Sequence, residues 1–186
     1  FSRTYDSLDR GEAASFGYGW RLKGFDFDIE TDVATSDRAS LGVFQPYRIG
    51  TRLYATLPDG RRAGFTFSPQ AETQTGMTVY RPHWTSDAGV DYTLDSAHAL
   101  LTRAGDRLYE LKTAVGYNPA SGFLPEPSFR LTAPDGTIYE LTAQGAARAW
   151  ITPQGERVLV SDSAVVGPNG EHVQIIRDGE HRITSL

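Results

Sequence analysis

The sequence contains no cysteine among its 186 residues. This absence excludes disulfides, thiolate nucleophiles and every zinc site built on sulfur, and it leaves the redox compartment undetermined. Long hydrophobic runs are also missing, because none approaches the roughly 20 apolar residues that a membrane-spanning helix requires. No basic and then apolar segment of the kind found in signal peptides opens the chain. We therefore expect a protein that does not span a membrane.

Positive charge is scarce and dispersed. The formal net charge is -5, the isoelectric point is near 5.3, and the only lysines are Lys23 and Lys112. Proteins that bind nucleic acid normally cluster lysine and arginine, so we expect no nucleic-acid partner. The nearest approach to a basic cluster, Arg61-Arg62, lies beside a predicted turn, where charge resists unwanted strand pairing.

Apolar and polar residues alternate with a period of two in several places, which is typical of sheets with one buried face. In Phe25-Asp26-Phe27-Asp28-Ile29-Glu30 the alternation is strict and places the apolar residues on one side and the carboxylates on the other. Helical spacing is rare. The pattern predicts an all-β protein.

A Pro-X-Gly turn recurs between the predicted strands. It occurs as Leu57-Pro58-Asp59-Gly60, Ala133-Pro134-Asp135-Gly136, Thr152-Pro153-Gln154-Gly155 and Gly167-Pro168-Asn169-Gly170. Proline fixes the first central residue of a type I turn, and glycine accepts the left-handed conformation that returns the chain as a bulged hairpin. Ala104-Gly105-Asp106 and Arg177-Asp178-Gly179-Glu180 are predicted to be shorter versions. The spacing of roughly 10 to 20 residues favours consecutive antiparallel hairpins over a solenoid of fixed period.

Three segments depart from this pattern. Residues 96–101 are predicted to form a helical turn, too short to be stable without packing. Residues 68–96 and a proline-rich connector at 118–127 are predicted to hold the least ordered loops.

Two N-terminal motifs carry a family resemblance. Arg3-Thr4-Tyr5-Asp6-Ser7 is followed by Phe16-Gly17-Tyr18-Gly19-Trp20, and this combination resembles the entry motif of RHS/YD-repeat proteins. The later strand, Asp-Gly turn and strand units resemble the degenerate repeats of that family. The resemblance divides the chain into an RHS-like entry segment at 1–50 and a β-hairpin repeat segment at 51–186, together one structural unit.

The resemblance implies a non-catalytic structural segment of a large secreted or cell-surface protein, whose hairpins form a curved sheet or part of a β shell. In that family the shell encloses a toxin or mediates surface interactions. The implied partners are the remainder of the same polypeptide, or a second copy that binds through strand edges. No full Tyr-Asp repeat follows Tyr5-Asp6, and no self-cleavage core or toxin domain is recognisable. The chain opens without methionine and stops within a strand-like run, which predicts a piece of a longer polypeptide.

Several residues that could bind a ligand leave an alternative function open, namely a secreted carbohydrate-binding or calcium-dependent adhesion module. Asp26, Asp28, Glu30 and Asp32 share one parity, with Asp37 nearby, but a straight row of carboxylates does not converge on a cation. Among the tryptophans, Trp84 is the candidate for stacking on a sugar, whereas Trp20 is predicted to lie in the core. A solvated strand face is the preferred interpretation of the acidic row, so no metal or cofactor is predicted.

No catalytic residue is predicted. His83, His98, His172 and His181 show no metal-ligand spacing, and His172 and His181 are expected at the surface. The nucleophile elbow of a serine hydrolase is missing from the sequence. A glycoside hydrolase needs only two carboxylates close in space, so the sequence leaves that class open.

Overall fold

The structure is a computed structural model that describes residues 3–5, 13–34 and 36–186. Asp6 and Ser7 of the entry motif lie outside the described residues. Two 3-10 helices, Ala39–Leu41 and Pro119–Ser121, accompany the strands. The strands in chain order are β1 Arg3–Tyr5, β2 Ala13–Ala14, β3 Gly17–Tyr18, β4 Trp20–Leu22, β5 Ile29–Thr31, β6 Arg52–Thr56, β7 Arg62–Phe67, β8 Gln70–Gln74, β9 Met77–Arg81, β10 Trp84–Ser86, β11 Thr93–Ser96, β12 Leu101–Ala104, β13 Arg107–Glu110, β14 Phe129–Thr132, β15 Ile138–Leu141, β16 Ala147–Ile151, β17 Arg157–Val160, β18 Ala164–Val166, β19 His172–Gln174, β20 Ile176–Arg177 and β21 Ile183–Ser185.

The predicted all-β class of consecutive antiparallel hairpins is confirmed, and the sheets are open rather than closed into a barrel. The largest sheet has seven strands in the order β11-β14-β15-β16-β17-β18-β19, so its last six strands follow the chain. Two four-stranded sheets have the orders β10-β7-β6-β5 and β13-β12-β9-β8. Three strand pairs, β1 with β4, β2 with β3 and β20 with β21, complete the described sheets.

Six hairpin turns share one hydrogen-bond pattern. In each, the first residue donates its N–H to the carbonyl four residues later and accepts from the N–H three residues later, as in Leu57 N to Arg61 O at 2.8 Å and Gly60 N to Leu57 O at 2.9 Å. The fourth residue is left-handed. The turns begin at Leu57, Ala133, Thr142, Thr152, Gly167 and Asp178. All four Pro-X-Gly turns are therefore confirmed as bulged hairpins.

The N-terminal segment packs on one face of the seven-stranded sheet. The Phe25 ring meets Trp150 edge-on at 5.0 Å between centroids, and Phe27 lies 4.9 Å from Tyr139. Phe25, Phe27 and Ile29 are buried, as the alternation predicts. A Cβ added at Gly145 would lie 2.8 Å from Ile29 N, so this turn touches the N-terminal backbone directly.

Two local predictions are wrong. Residues 96–101 form no helical turn, because Ser96 ends β11, Leu101 begins β12 and the four residues between them are neither helix nor turn. The stretch 68–96 holds four strands, β8 to β11, rather than loose loops. The connector at 118–127 contains no strand, in agreement with prediction. Among the described residues, no helix is long and apolar enough to cross a bilayer.

Candidate functional site

The acidic row begins with a carboxylate that serves the fold. Asp26 accepts hydrogen bonds from Ser15 N at 3.1 Å, from Ser15 Oγ at 2.6 Å and from Leu22 N at 2.5 Å. These donors tie the N-terminal loop to the start of the acidic row. Both oxygens of Asp26 accept hydrogen bonds from this N-terminal segment.

The remaining acidic residues of the row accept hydrogen bonds from an arginine side chain and from the backbone. Asp28 and Glu30 both accept from Arg62, with 3.1 Å between Arg62 Nη1 and Asp28 Oδ2. Asp32 accepts the backbone N–H of Arg52 at 3.0 Å. Within the described ranges no group of three or more histidines or carboxylates is placed to hold a metal ion. The row is a solvated strand face bridged by guanidinium.

Two tryptophans lie in the opposite environments to those predicted: Trp84 is buried and Trp20 is exposed. Trp84, the predicted sugar-stacking residue, is only 6% exposed and donates its Nε1–H to Ser96 Oγ at 2.9 Å. Trp20, predicted in the core, is 36% exposed, with the Arg3 guanidinium 5.0 Å from its ring centroid and the Tyr5 ring at 4.9 Å. Both predictions are wrong. Trp150 is half-buried and donates to Gly24 O at 2.8 Å.

Trp84 belongs to a buried aromatic cluster where the sheets meet. Its members are Tyr47, Phe67, Trp84, Tyr117 and Phe129. Neighbouring centroids lie between 5.1 and 6.4 Å apart, distances typical of favourable ring pairs. Burial raises the pKa of the Tyr47 and Tyr117 phenols above their ordinary value. Both tyrosines therefore stay neutral near neutral pH. The Tyr117 hydroxyl lies 2.9 Å from Ser96 Oγ and donates to Ala97 O at 2.7 Å, whereas the buried Tyr47 hydroxyl has no partner among the described residues.

The four histidines do not come together. His98, His172 and His181 are exposed, which confirms the surface positions predicted for His172 and His181. His83 is half-buried, and its Nδ1 lies 3.0 Å from Ser68 Oγ. None of the described contacts joins a histidine side chain to a carboxylate, so the arrangement of a general base oriented by an acid is missing from this part of the chain.

A buried carboxylate that the sequence analysis missed connects three strands of the large sheet. Glu140 on β15 is 3% exposed. Its Oε1 accepts from Arg130 Nη2 on β14 at 3.0 Å, and its Oε2 accepts from Arg157 Nη2 on β17 at 2.5 Å. Each oxygen of Glu140 is thus bound by a guanidinium group. Its role is to hold β14, β15 and β17 in register.

One cleft is lined in part by side chains that make structural contacts. It has a volume of about 390 Å³ and lies between the N-terminal segment, the turn before β16 and the C-terminal hairpin. Its ionisable lining residues are Asp26, Asp162, Arg177, Glu180 and His181. Arg177 donates to the carbonyls of Asp162 and His181 at 3.0 and 2.7 Å, and Asp26 is bound as described above. Two of its ionisable side chains, Asp26 and Arg177, are therefore held by structural hydrogen bonds.

What distinguishes the large sheet is the contrast between its two edges. Ala97 N donates to Ser128 O at 3.0 Å, and hydrogen-bonded pairs alternate along an antiparallel ladder. The backbone groups of Leu94 and Ser96 on β11 must therefore point away from β14. Both residues are buried, and Ser96 contacts Trp84. This edge is covered by the protein itself.

The opposite edge, β19, is uncovered, and we call it the open edge. Gly167 N donates to Glu171 O at 2.8 Å, and Ile175 N donates to Ser163 O at 2.7 Å. By the same alternation, the N–H and C=O of His172 and Gln174 point away from β18. Both residues are exposed, and among the described residues no strand pairs with that side. The large sheet can gain a strand at β19 and not at β11.

Comparison with protein-family models, with curated proteins and with solved structures returned no match. From the sequence we predicted association through strand edges, but neither the position of an open edge at β19 nor the Glu140 contacts. A signal for Glu140 was present, because Arg130, Glu140 and Arg157 each interrupt an apolar strand near a predicted turn. No comparable signal marks β19, because an edge is defined by which strands pair.

Proposed function

We propose that this chain is a non-catalytic structural segment of a large secreted or surface RHS/YD-repeat protein, in which its hairpins form part of a β shell. The observation that carries the proposal is the large sheet, which adds strands in chain order, is covered at β11 and is open at β19. From the family resemblance, the shell encloses a toxin or mediates surface interactions.

The energetics of the open edge favour the same polypeptide as the source of the next strand. His172 and Gln174 offer four outward backbone groups, and each hydrogen bond contributes about 0.5–1.5 kcal/mol net. A separate chain must also overcome roughly 4–15 kcal/mol of lost translational and rotational freedom. Self-association through this edge alone is therefore weak. A strand already connected to the chain avoids most of that cost.

Proline substitutions test this proposal. Gln174→Pro removes only an outward N–H, whereas Val173→Pro removes an N–H that points toward β18. We expect Gln174→Pro to leave the urea midpoint of the isolated chain nearly unchanged and to lower that of the longer polypeptide that contains it. Val173→Pro is the control and should destabilise both. Equal midpoints for wild type and Gln174→Pro in the longer polypeptide would refute strand addition at β19.

The carbohydrate-binding alternative now depends on different aromatic residues. Tyr5, Tyr18 and Trp20 are exposed, whereas its original candidate, Trp84, is buried. Thermal unfolding with calcium and with a panel of glycans separates the two proposals, because a ligand that binds only the folded state raises the melting temperature. The structural proposal predicts no shift. A shift that Trp20→Ala abolishes would support the binding module instead.

A further inference from the structure

The turn between β18 and β19 carries one of only two asparagines in the chain, Asn118 and Asn169. Asn169 is exposed, and glycine follows it. No atom lies within 4 Å of the position that a Cβ on Gly170 would occupy. Asn118 is buried, donates Nδ2–H to Gln45 O at 2.9 Å and precedes Pro119. The two asparagines thus differ in exposure, in side-chain hydrogen bonding and in the residue that follows.

We propose that Asn169 is a site of spontaneous deamidation, and that its modification opens the edge strand β19. The Gly170 nitrogen attacks Cγ of Asn169, a N–Cγ bond forms, the Cγ–Nδ2 bond breaks and ammonia leaves with the proton of the Gly170 N–H. Water then opens the resulting succinimide at either carbonyl. One product is aspartate, and the other is isoaspartate, whose backbone is longer by one carbon. Proline at 119 has no N–H, so the same route is closed at Asn118.

Among the described residues, the side chain of Asn169 lacks the hydrogen bond that holds the aspartates of equivalent turns. In the equivalent turns, Asp59 Oδ1 accepts from Arg61 N at 3.0 Å and Asp135 Oδ1 accepts from Thr137 N at 2.9 Å. Within the described part of the chain, the side-chain amide of Asn169 makes no such bond. Its backbone N–H donates instead to Glu171 Oε2 at 3.1 Å.

One hydrogen bond opposes the reaction. Gly170 N donates to Gly167 O at 3.1 Å, the longest of the six equivalent turn contacts. Opening one such bond corresponds to roughly a fivefold slowing relative to an unfolded chain. We therefore expect Asn169 in the folded protein to lose ammonia within about tenfold of its rate in urea.

The products have different effects on the open edge. Aspartate places a second carboxylate beside Glu171 but leaves a turn of the same length as the natural Asp59 and Asp135 turns. Isoaspartate lengthens the backbone within the four-residue turn that sets the register of β18 and β19. It should therefore release the pairing of Val173 with Val165.

Peptide mass spectrometry after prolonged incubation of the folded chain in neutral buffer tests the proposal. We expect conversion at Asn169, mostly to isoaspartate, and none at Asn118. Asn169→Gln copies the natural Gln154-Gly155 turn and should abolish conversion while keeping the fold, and Asn169→Asp reproduces the charge without the extra backbone carbon. Amide exchange at Val173 should accelerate in the incubated wild type and remain slow in both variants. Conversion at Asn169 more than tenfold slower in the folded than in the urea-unfolded chain, or unchanged exchange at Val173 in the isoaspartate form, would overturn the proposal.

Discussion

Alanine substitutions at two turn glycines separate backbone strain from packing. Gly145 and Gly155 occupy the same left-handed position in equivalent turns, with φ of 96° and 85°. A non-glycine residue there costs about 1–2 kcal/mol, whatever surrounds it. Around Gly155 no atom lies within 4 Å of an added Cβ, whereas at Gly145 the Cβ would lie 2.8 Å from Ile29 N and 3.0 Å from the Asp28 carbonyl carbon.

The expected losses differ because only one site is crowded. Gly155→Ala should lower the free energy of unfolding by about 1 kcal/mol, the strain term alone. Gly145→Ala should cost about 3 kcal/mol, since the N-terminal backbone must also move and overpacking typically adds about 1–3 kcal/mol. For a chain of this length, that difference of about 2 kcal/mol corresponds to roughly 4–8 °C in melting temperature.

Urea unfolding of the two variants and the wild type, with matched m-values, measures the difference. Gly60→Ala and Gly170→Ala serve as further controls, because their surroundings are equally open. If Gly145→Ala were no more destabilising than Gly155→Ala, the N-terminal segment would not lie against the turn, and the packing of residues 25–29 on the large sheet would be wrong.

Three further predictions concern the hairpins and their ion pairs. Thr75 has φ of 48° and precedes Gly76, with φ of 79°, in a two-residue turn that favours Asn-Gly. Thr75→Asn should therefore raise the free energy of unfolding, measured by calorimetry, by about 0.5 kcal/mol. Thr73→Asn is the control and should be neutral or slightly unfavourable. Gly64→Ala should cost about 1–2 kcal/mol because its Cβ would clash with the Asp87 carboxylate, and a double-mutant cycle with Asp87→Ala should show coupling rather than additivity. The hydrogen bond from Arg52 holds the pKa of Asp87 below its ordinary value, so the unfolded state binds more protons below about pH 4 and the folded state loses stability there. The urea midpoint should therefore decline on acidification, and less steeply in Asp87→Asn than in the wild type. A midpoint that rises on acidification would contradict this.

The turns were the most predictable part of the fold, because their chemistry is local. Proline and glycine at fixed positions identified four of the six equivalent turns. The turn at Thr142 was missed since it has no proline, and in the turn at Asp178 the left-handed residue is His181 rather than the expected Gly179. Strict alternation likewise identified the buried face of residues 25–29. These features depend on residues that are neighbours in sequence.

Features set by long-range contacts were not predictable in the same way. Trp84 is buried because β10 and β11 bring it against Ser96 and Tyr47, whereas Trp20 lies on a two-stranded ribbon near Arg3. Neither outcome is encoded in the flanking residues. The strands of 68–96 were missed partly because β8 contains a single apolar residue and buries none of its side chains, so it lacks the apolar alternation that identifies a half-buried strand.

Residue-resolved amide exchange along β19 tests the central claim most directly. If β19 is an edge strand whose outward N–H and C=O groups have no partner strand, the amides of His172 and Gln174 should exchange rapidly in the isolated chain. The amides of Val173 and Ile175 should be protected. Slow exchange at all four amides would mean that the edge is already covered, and rapid exchange at all four would mean that β19 is not paired with β18. Either result would contradict the account.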